Sequence, residues 1–130
     1  VNGVLVNPTK EYLDGLTFSS ISSEPQTETI QVSIAANNSG SGNVYVIDGV
    51  QNKSLTLKIG TTYTFTHSSS HPFRFSNTSN GTHGGGAEYM NGVTTSSGST
   101  IIEVTSTTSS TLYYYCSIHS GMGGTISVTE

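Results

Sequence analysis

Alternation of apolar and polar residues with period two runs through most of the chain and constrains its fold more than any other feature. Successive side chains of a β-strand point to opposite faces, so this alternation is typical of half-buried strands. β-Branched and aromatic residues dominate the alternating segments, and clusters of Gly, Asn or Ser separate them. These segments are residues 28–36, 43–48, 54–60, 62–67, 71–76, 100–105, 111–116 and 124–129. The pattern predicts an all-β antiparallel sandwich or barrel of about eight short strands.

The length of 130 residues is typical of one main domain. We assign residues 28–130 to the β domain and residues 1–27 to an N-terminal arm or linker. A helix is suggested only by NPTKEYLDG at 7–15, where Asn7 could cap, Pro8 could start and Gly15 could end a short turn. Residues 77–99 are expected to form one long irregular loop, of a length that is usually functional or mobile.

The charge balance excludes several classes of partner. Four Lys and Arg residues stand against eight Asp and Glu residues, so no basic stripe exists to bind nucleic acid and no polybasic patch exists to bind a membrane. No apolar run is long enough to span a bilayer, and the first residues lack the pattern of a signal peptide. We expect an extracellular, periplasmic or virion-associated location, for either a processed protein or a piece of a longer polypeptide.

The alternation in two of the predicted strands indicates which side chains could form a functional site. The segment 111–116 directs Cys116 to its more apolar face and Tyr115 to the opposite, outward face. In the HPFRFS segment Arg74 is expected to face water, which directs His71 inward. Cys116 ends one strand and His71 starts another, so we expect them to meet at one pole of the sandwich.

The stretch CSIHSGMGG combines the chain's single cysteine with two other metal-ligand types. Cys116 has no cysteine partner within the chain, and His119 and Met122 follow it at intervals of three residues. Together with His71 they supply one thiolate, two imidazoles and a thioether, which is the ligand set of type 1 (blue) copper sites. The thiolate and both imidazoles would form a trigonal plane, and the thioether a long axial bond. The sequence therefore predicts one copper ion per chain, held by His71, Cys116, His119 and Met122.

The chain resembles the cupredoxin family of type 1 copper proteins, which includes plastocyanin, amicyanin and pseudoazurin. The resemblance covers about residues 43–129 and lies in TLYYYCSIHSGM, in the closing GTISV, in SLTLKIGTTYTFTH and in HPFRF. It implies a Greek-key β-sandwich and outer-sphere electron transfer without substrate chemistry, hence a protein that is not an enzyme. Relatives commonly have asparagine after the first histidine ligand, whose backbone N–H donates to the cysteine sulfur. Pro72 stands at that position here and has no N–H.

Each candidate ligand also has a structural interpretation. Cys116 could be a buried small hydrophobe, and Met122 could only fill the loop. A zinc site is an alternative, although such sites normally use more thiolates or a closed histidine set. His83, in a glycine-rich segment, is expected to be exposed, and His67 to satisfy a turn rather than bind metal. Met90 is a weaker alternative thioether.

A second function of a different class is compatible with the sequence. The Ser-, Thr-, Gly- and Asn-rich surface and the N-terminal arm suit a structural or adhesion module of an extracellular or virion assembly, with copper stabilising it or absent. The chain also resembles cupredoxin-like modules of virion fibre proteins of tailed marine phages, in the segments HPFRF, THGGG and YYYC with HSGMGG. For the electron carrier we expect a redox partner protein, which the sequence does not identify.

Overall fold

Short β-strands account for nearly all regular structure in residues 26–130, which are the residues that the computed structural model describes. The predicted helix at 7–15 and most of the predicted arm lie outside them. Eleven strands and one 3₁₀ turn, Gly81–Gly84, form in this range. The strands are β1 Gln26–Gln31, β2 Ser33–Ala36, β3 Asn43–Ile47, β4 Val50–Gln51, β5 Leu55–Lys58, β6 Thr61–Thr66, β7 Phe73–Ser76, β8 Val93–Thr95, β9 Ser99–Glu103, β10 Thr111–Cys116 and β11 Gly124–Thr129.

These strands form three sheets. The first has the order β1-β6-β9-β8, the second β5-β11-β10-β7 and the third β2-β3-β4. Neighbours in space are often distant in sequence, so the chain crosses repeatedly between sheets, as in Greek-key sandwiches. The pairs β1–β6 and β5–β11 are parallel, whereas the sequence pattern predicted antiparallel strands only. Alternation is the same along a parallel and an antiparallel strand, so it does not report direction.

The inward faces of the first two sheets share one core. Phe65 of β6 stacks on Phe73 of β7 with ring centroids 4.8 Å apart, and it meets Phe75 edge-on. All three side chains are fully buried. Tyr45 and Ile47 of the third sheet belong to the same buried cluster. The structure thus confirms the predicted all-β sandwich.

The structure has three strands more than the eight that the sequence predicts. The predicted strand 28–36 is interrupted at Val32, whose backbone still donates to Thr66, and the chain then leaves the first sheet for the third. The short strand β4 forms a hairpin with β3. Strand β8 and the 3₁₀ turn lie inside the segment 77–99, so that segment is more ordered than predicted.

The predicted inward faces are confirmed, but two outward predictions are wrong. Cys116, Phe73 and Phe75 are all fully buried. Tyr115 is also buried, because the 3₁₀ turn lies over its ring at Gly81. The side chain of Arg74 is only 18% exposed and forms an ion pair with Glu88, with Nε and Oε2 3.3 Å apart. In both cases the loop 77–99 covers a sheet face that would otherwise meet water.

Candidate metal centre

Three potential metal ligands meet at one end of the sandwich. The Sγ atom of Cys116 lies 3.9 Å from Nδ1 of His71 and 3.8 Å from Nδ1 of His119. The ligand atoms of all three residues lie within 4.8 Å of one another. Cys116 is buried, His71 is half-buried and His119 is exposed, so the group runs from the core to the surface.

The spacing of these atoms fits a single metal ion. Two ligand atoms that each lie about 2.0–2.3 Å from one ion, at an angle near 120°, are roughly 3.7 Å apart. The two observed sulfur–nitrogen distances are close to this value. One soft thiolate with two imidazoles is a donor set that suits copper, whereas zinc sites normally have more thiolates or a closed histidine set.

Strand pairing brings His71 and Cys116 together. In the antiparallel ladder of β7 and β10, Cys116 stands opposite Phe73, two residues after His71. The ladder is extended by one bond beyond the strands, from the Ser117 N–H to the Pro72 carbonyl at 3.1 Å. Cys116 and Phe73 point into the same core, so their register fixes the His71 segment beside the sulfur.

The loop after β10 supplies the remaining two candidates. His119 lies on the exposed part of this loop, and Met122 is buried at its end. Both line a cavity of about 400 Å³, together with His71 and the half-exposed Ile118. The carbonyl oxygen of Met122 accepts hydrogen bonds from the Tyr45 N–H at 3.0 Å and from Asn52 Nδ2 at 3.3 Å. Met122 is therefore held on the same cavity as the two histidines, while its role as a ligand stays a prediction.

The other candidate side chains lie outside the His–Cys–His group. His83 is exposed, as predicted, but its Nε2 donates to the Cys116 carbonyl oxygen at 2.9 Å, so it contacts the backbone of the site. His67 satisfies its own turn, because Nδ1 donates to the Ser68 carbonyl oxygen at 2.9 Å. Met90 is half-exposed and does not line the cavity.

Tyr45 is a component of the site that the sequence did not reveal. Its hydroxyl donates to the His71 carbonyl oxygen at 2.6 Å. Burial raises the pKa of the Tyr45 phenol far above its ordinary value, and the adjacent Cys116 sulfur raises it further. In the sequence Tyr45 is one aromatic residue of an alternating strand, and nothing in that pattern points to residue 71.

Comparison with solved structures yields only a weak structural likeness. A solved structure of rusticyanin variants matches over 84% of this chain and 84% of that chain, with 20% sequence identity and a TM-score of 0.36. This similarity is too low to assign a family or a ligand to the chain. No protein-family model matches the sequence, and no curated protein matches it. Within residues 26–130, no helix is long and apolar enough to cross a membrane.

Proposed function

We propose that this chain is a type 1 copper-binding protein that transfers electrons by an outer-sphere route. His71, Cys116 and His119 would hold the ion, and the Met122 thioether would complete its ligand set. The observation that carries the proposal is the convergence of one thiol and two imidazoles within 4.8 Å at one pole of a β-sandwich. Copper supplies reversible one-electron chemistry when it is bound to such a set.

The placement of the ligands suits electron transfer. Cys116 ends a buried strand, and strand pairing fixes the segment that carries His71. A ligand set fixed in this way moves little when the charge of the ion changes. His119 is exposed beside Ile118, which is 57% exposed, so electrons would leave through the His119 imidazole at this rim. The partner would be a redox protein that docks there.

Titration with Cu(II), followed by visible absorption, tests the proposal. The protein should develop an intense thiolate-to-copper band that saturates at one copper per chain. Cys116→Ser should abolish the band, because the sulfur is its electron donor. His71→Ala and His119→Ala should weaken copper binding. Met122→Leu should alter the spectrum or the potential, and Met90→Leu, at the half-exposed methionine, is the matched control that should leave both unchanged.

Two further outcomes separate the proposal from its alternative. Reversible reduction and reoxidation of the coloured protein would support an electron carrier. A bound native state gains about 2.7 kcal/mol when free copper is a hundredfold above Kd, so the melting temperature should rise. A protein that stays colourless, and whose melting temperature is the same with and without copper, would instead favour a structural or adhesion module without metal.

A further inference from the structure

Tyr45 lies at the inner side of the candidate metal centre. Its side chain is fully buried, with its ring 5.2 Å from that of Phe73 and 6.2 Å from that of Tyr114. The hydroxyl donates to the His71 carbonyl oxygen at 2.6 Å, a short hydrogen bond between residues far apart in sequence. The phenol therefore restrains the backbone of a proposed ligand from inside the core.

The backbone of Tyr45 holds the other side of the centre. Its N–H donates to the Met122 carbonyl oxygen at 3.0 Å. His71 precedes β7 and Met122 precedes β11, and these strands are not neighbours, because β10 lies between them. Tyr45, on β3 of the third sheet, thus joins two ligand-bearing segments that no ladder connects directly.

In the part of the chain that the structure describes, no backbone N–H donates to the Cys116 sulfur. Among residues 26–130, its hydrogen-bond contacts are Nδ1 of His71 and Nδ1 of His119, and both of these atoms are proposed metal ligands. Pro72 has no N–H to offer. The position of His71 against the sulfur therefore depends on its backbone, which the Tyr45 hydroxyl holds.

We propose that Tyr45 is a positioning residue of the metal centre, whose hydroxyl and backbone N–H hold the segments that carry His71 and Met122. The inference rests on the proposed copper function. Outer-shell hydrogen bonds orient ligands and tune metal sites. Loss of the Tyr45 hydroxyl should therefore release the His71 segment and disturb the ligand set.

The test compares Tyr45→Phe with Tyr114→Phe. Each substitution removes only a hydroxyl from a fully buried ring. Tyr114 is the matched control, because its hydroxyl donates to the Lys53 carbonyl oxygen at 2.7 Å, which is a similar bond to a residue outside the ligand set. We would measure copper-free stability, the thiolate-to-copper band, and the affinities for Cu(I) and Cu(II) by competition with chelators.

Both variants should lose similar stability without copper, and only Tyr45→Phe should change the site. We expect a shifted band and a threefold to tenfold loss of affinity for both Cu(I) and Cu(II). Equal spectra and equal copper affinities in the two variants would overturn the role of Tyr45 while leaving the copper function standing. A wild-type protein that shows no band would overturn both.

Discussion

At the scale of single residues, Gly123 is the point where the ligand loop passes closest to strand β10. A Cβ atom at this position would overlap the Tyr114 carbonyl oxygen. Gly123 directly follows the buried Met122, and its own carbonyl oxygen accepts from Asn52 Nδ2 at 2.8 Å. The loop can therefore return to the sheet, with Met122 turned inward, only if this residue has no side chain.

Gly123→Ala should destabilise the metal-free protein by about 3 kcal/mol, because the added methyl group must push two backbone segments apart. Urea unfolding followed by circular dichroism would measure the loss. Gly98→Ala is the matched control, since a Cβ there would meet its nearest neighbour, the His67 carbonyl oxygen, at 3.9 Å. That variant should stay within about 0.5 kcal/mol of the wild type. Similar losses of stability in the two variants would show that the close approach to strand β10 is not the reason why residue 123 is glycine.

The four proposed ligands could be predicted from the sequence, but their supports could not. Cys116, His119 and Met122 lie within one loop, so their spacing is itself the signal. The hydroxyl of Tyr45 reaches residue 71, and the imidazole of His83 reaches residue 116. Such contacts depend on how sheets and loops pack across long sequence separations, which local periodicity does not encode.

At the scale of elements, a polar contact joins the first two sheets close to the metal centre. The fully buried Thr100 of β9 donates its hydroxyl to the Phe73 carbonyl oxygen of β7 at 2.6 Å. The same hydroxyl accepts from Arg74 Nη1 at 3.3 Å and contacts His67 Nε2 at 3.1 Å. This contact joins Arg74 to the neighbouring sheet, in addition to its ion pair with Glu88 of the covering loop. This network holds β7, the strand that follows His71, against the first sheet.

Thr100→Val keeps the shape of the side chain and removes the hydroxyl, so it should cost about 1–3 kcal/mol of unfolding free energy. His67 and Arg74 would each lose one contact, while the Phe73 carbonyl oxygen would keep its bond from Arg74 at 3.0 Å. Thr125→Val, at an exposed position of β11, is the control and should change stability by less than about 0.5 kcal/mol. Urea midpoints of the metal-free proteins provide the comparison. A stability of Thr100→Val equal to that of the control would rule out a structural role for the buried hydroxyl.

Element boundaries followed the alternation well where a strand stays within one sheet. Strands β10 and β11 begin and end at the predicted residues. The alternation runs unbroken through Val32, because that residue remains buried while the chain changes sheets. Strand β8 has only three residues, Val93–Thr95, which is too short for a period to be visible. The sequence pattern thus missed the point where a strand changes sheets and the pairing of very short strands. Tertiary contacts decide both.

At the scale of the whole molecule, few charges and several buried phenols govern the response to pH. Charged residues make up 9% of the chain, and the formal net charge is −4. Tyr45 and Tyr114 are at most 1% exposed. Burial raises the pKa of both phenols far above the ordinary value, and for Tyr45 the Cys116 sulfur adds to the effect. The folded protein therefore retains protons that the unfolded chain releases in alkaline solution.

The alkaline dependence of stability should consequently become less steep when one buried phenol is removed. An unfolded tyrosine ionises near pH 10, whereas Tyr114 in the folded state stays protonated above that pH because burial raises its pKa. Its contribution to stability is thus complete below about pH 10 and declines as the pH rises further, by up to about 1.4 kcal/mol per pH unit. Urea unfolding of the metal-free protein between pH 8 and 11 should show a smaller decline for Tyr114→Phe than for the wild type. Ile126→Val, a fully buried control without an ionisable group, should lower stability equally at every pH and keep the wild-type slope. Parallel curves for Tyr114→Phe and wild type above pH 10 would contradict the raised pKa.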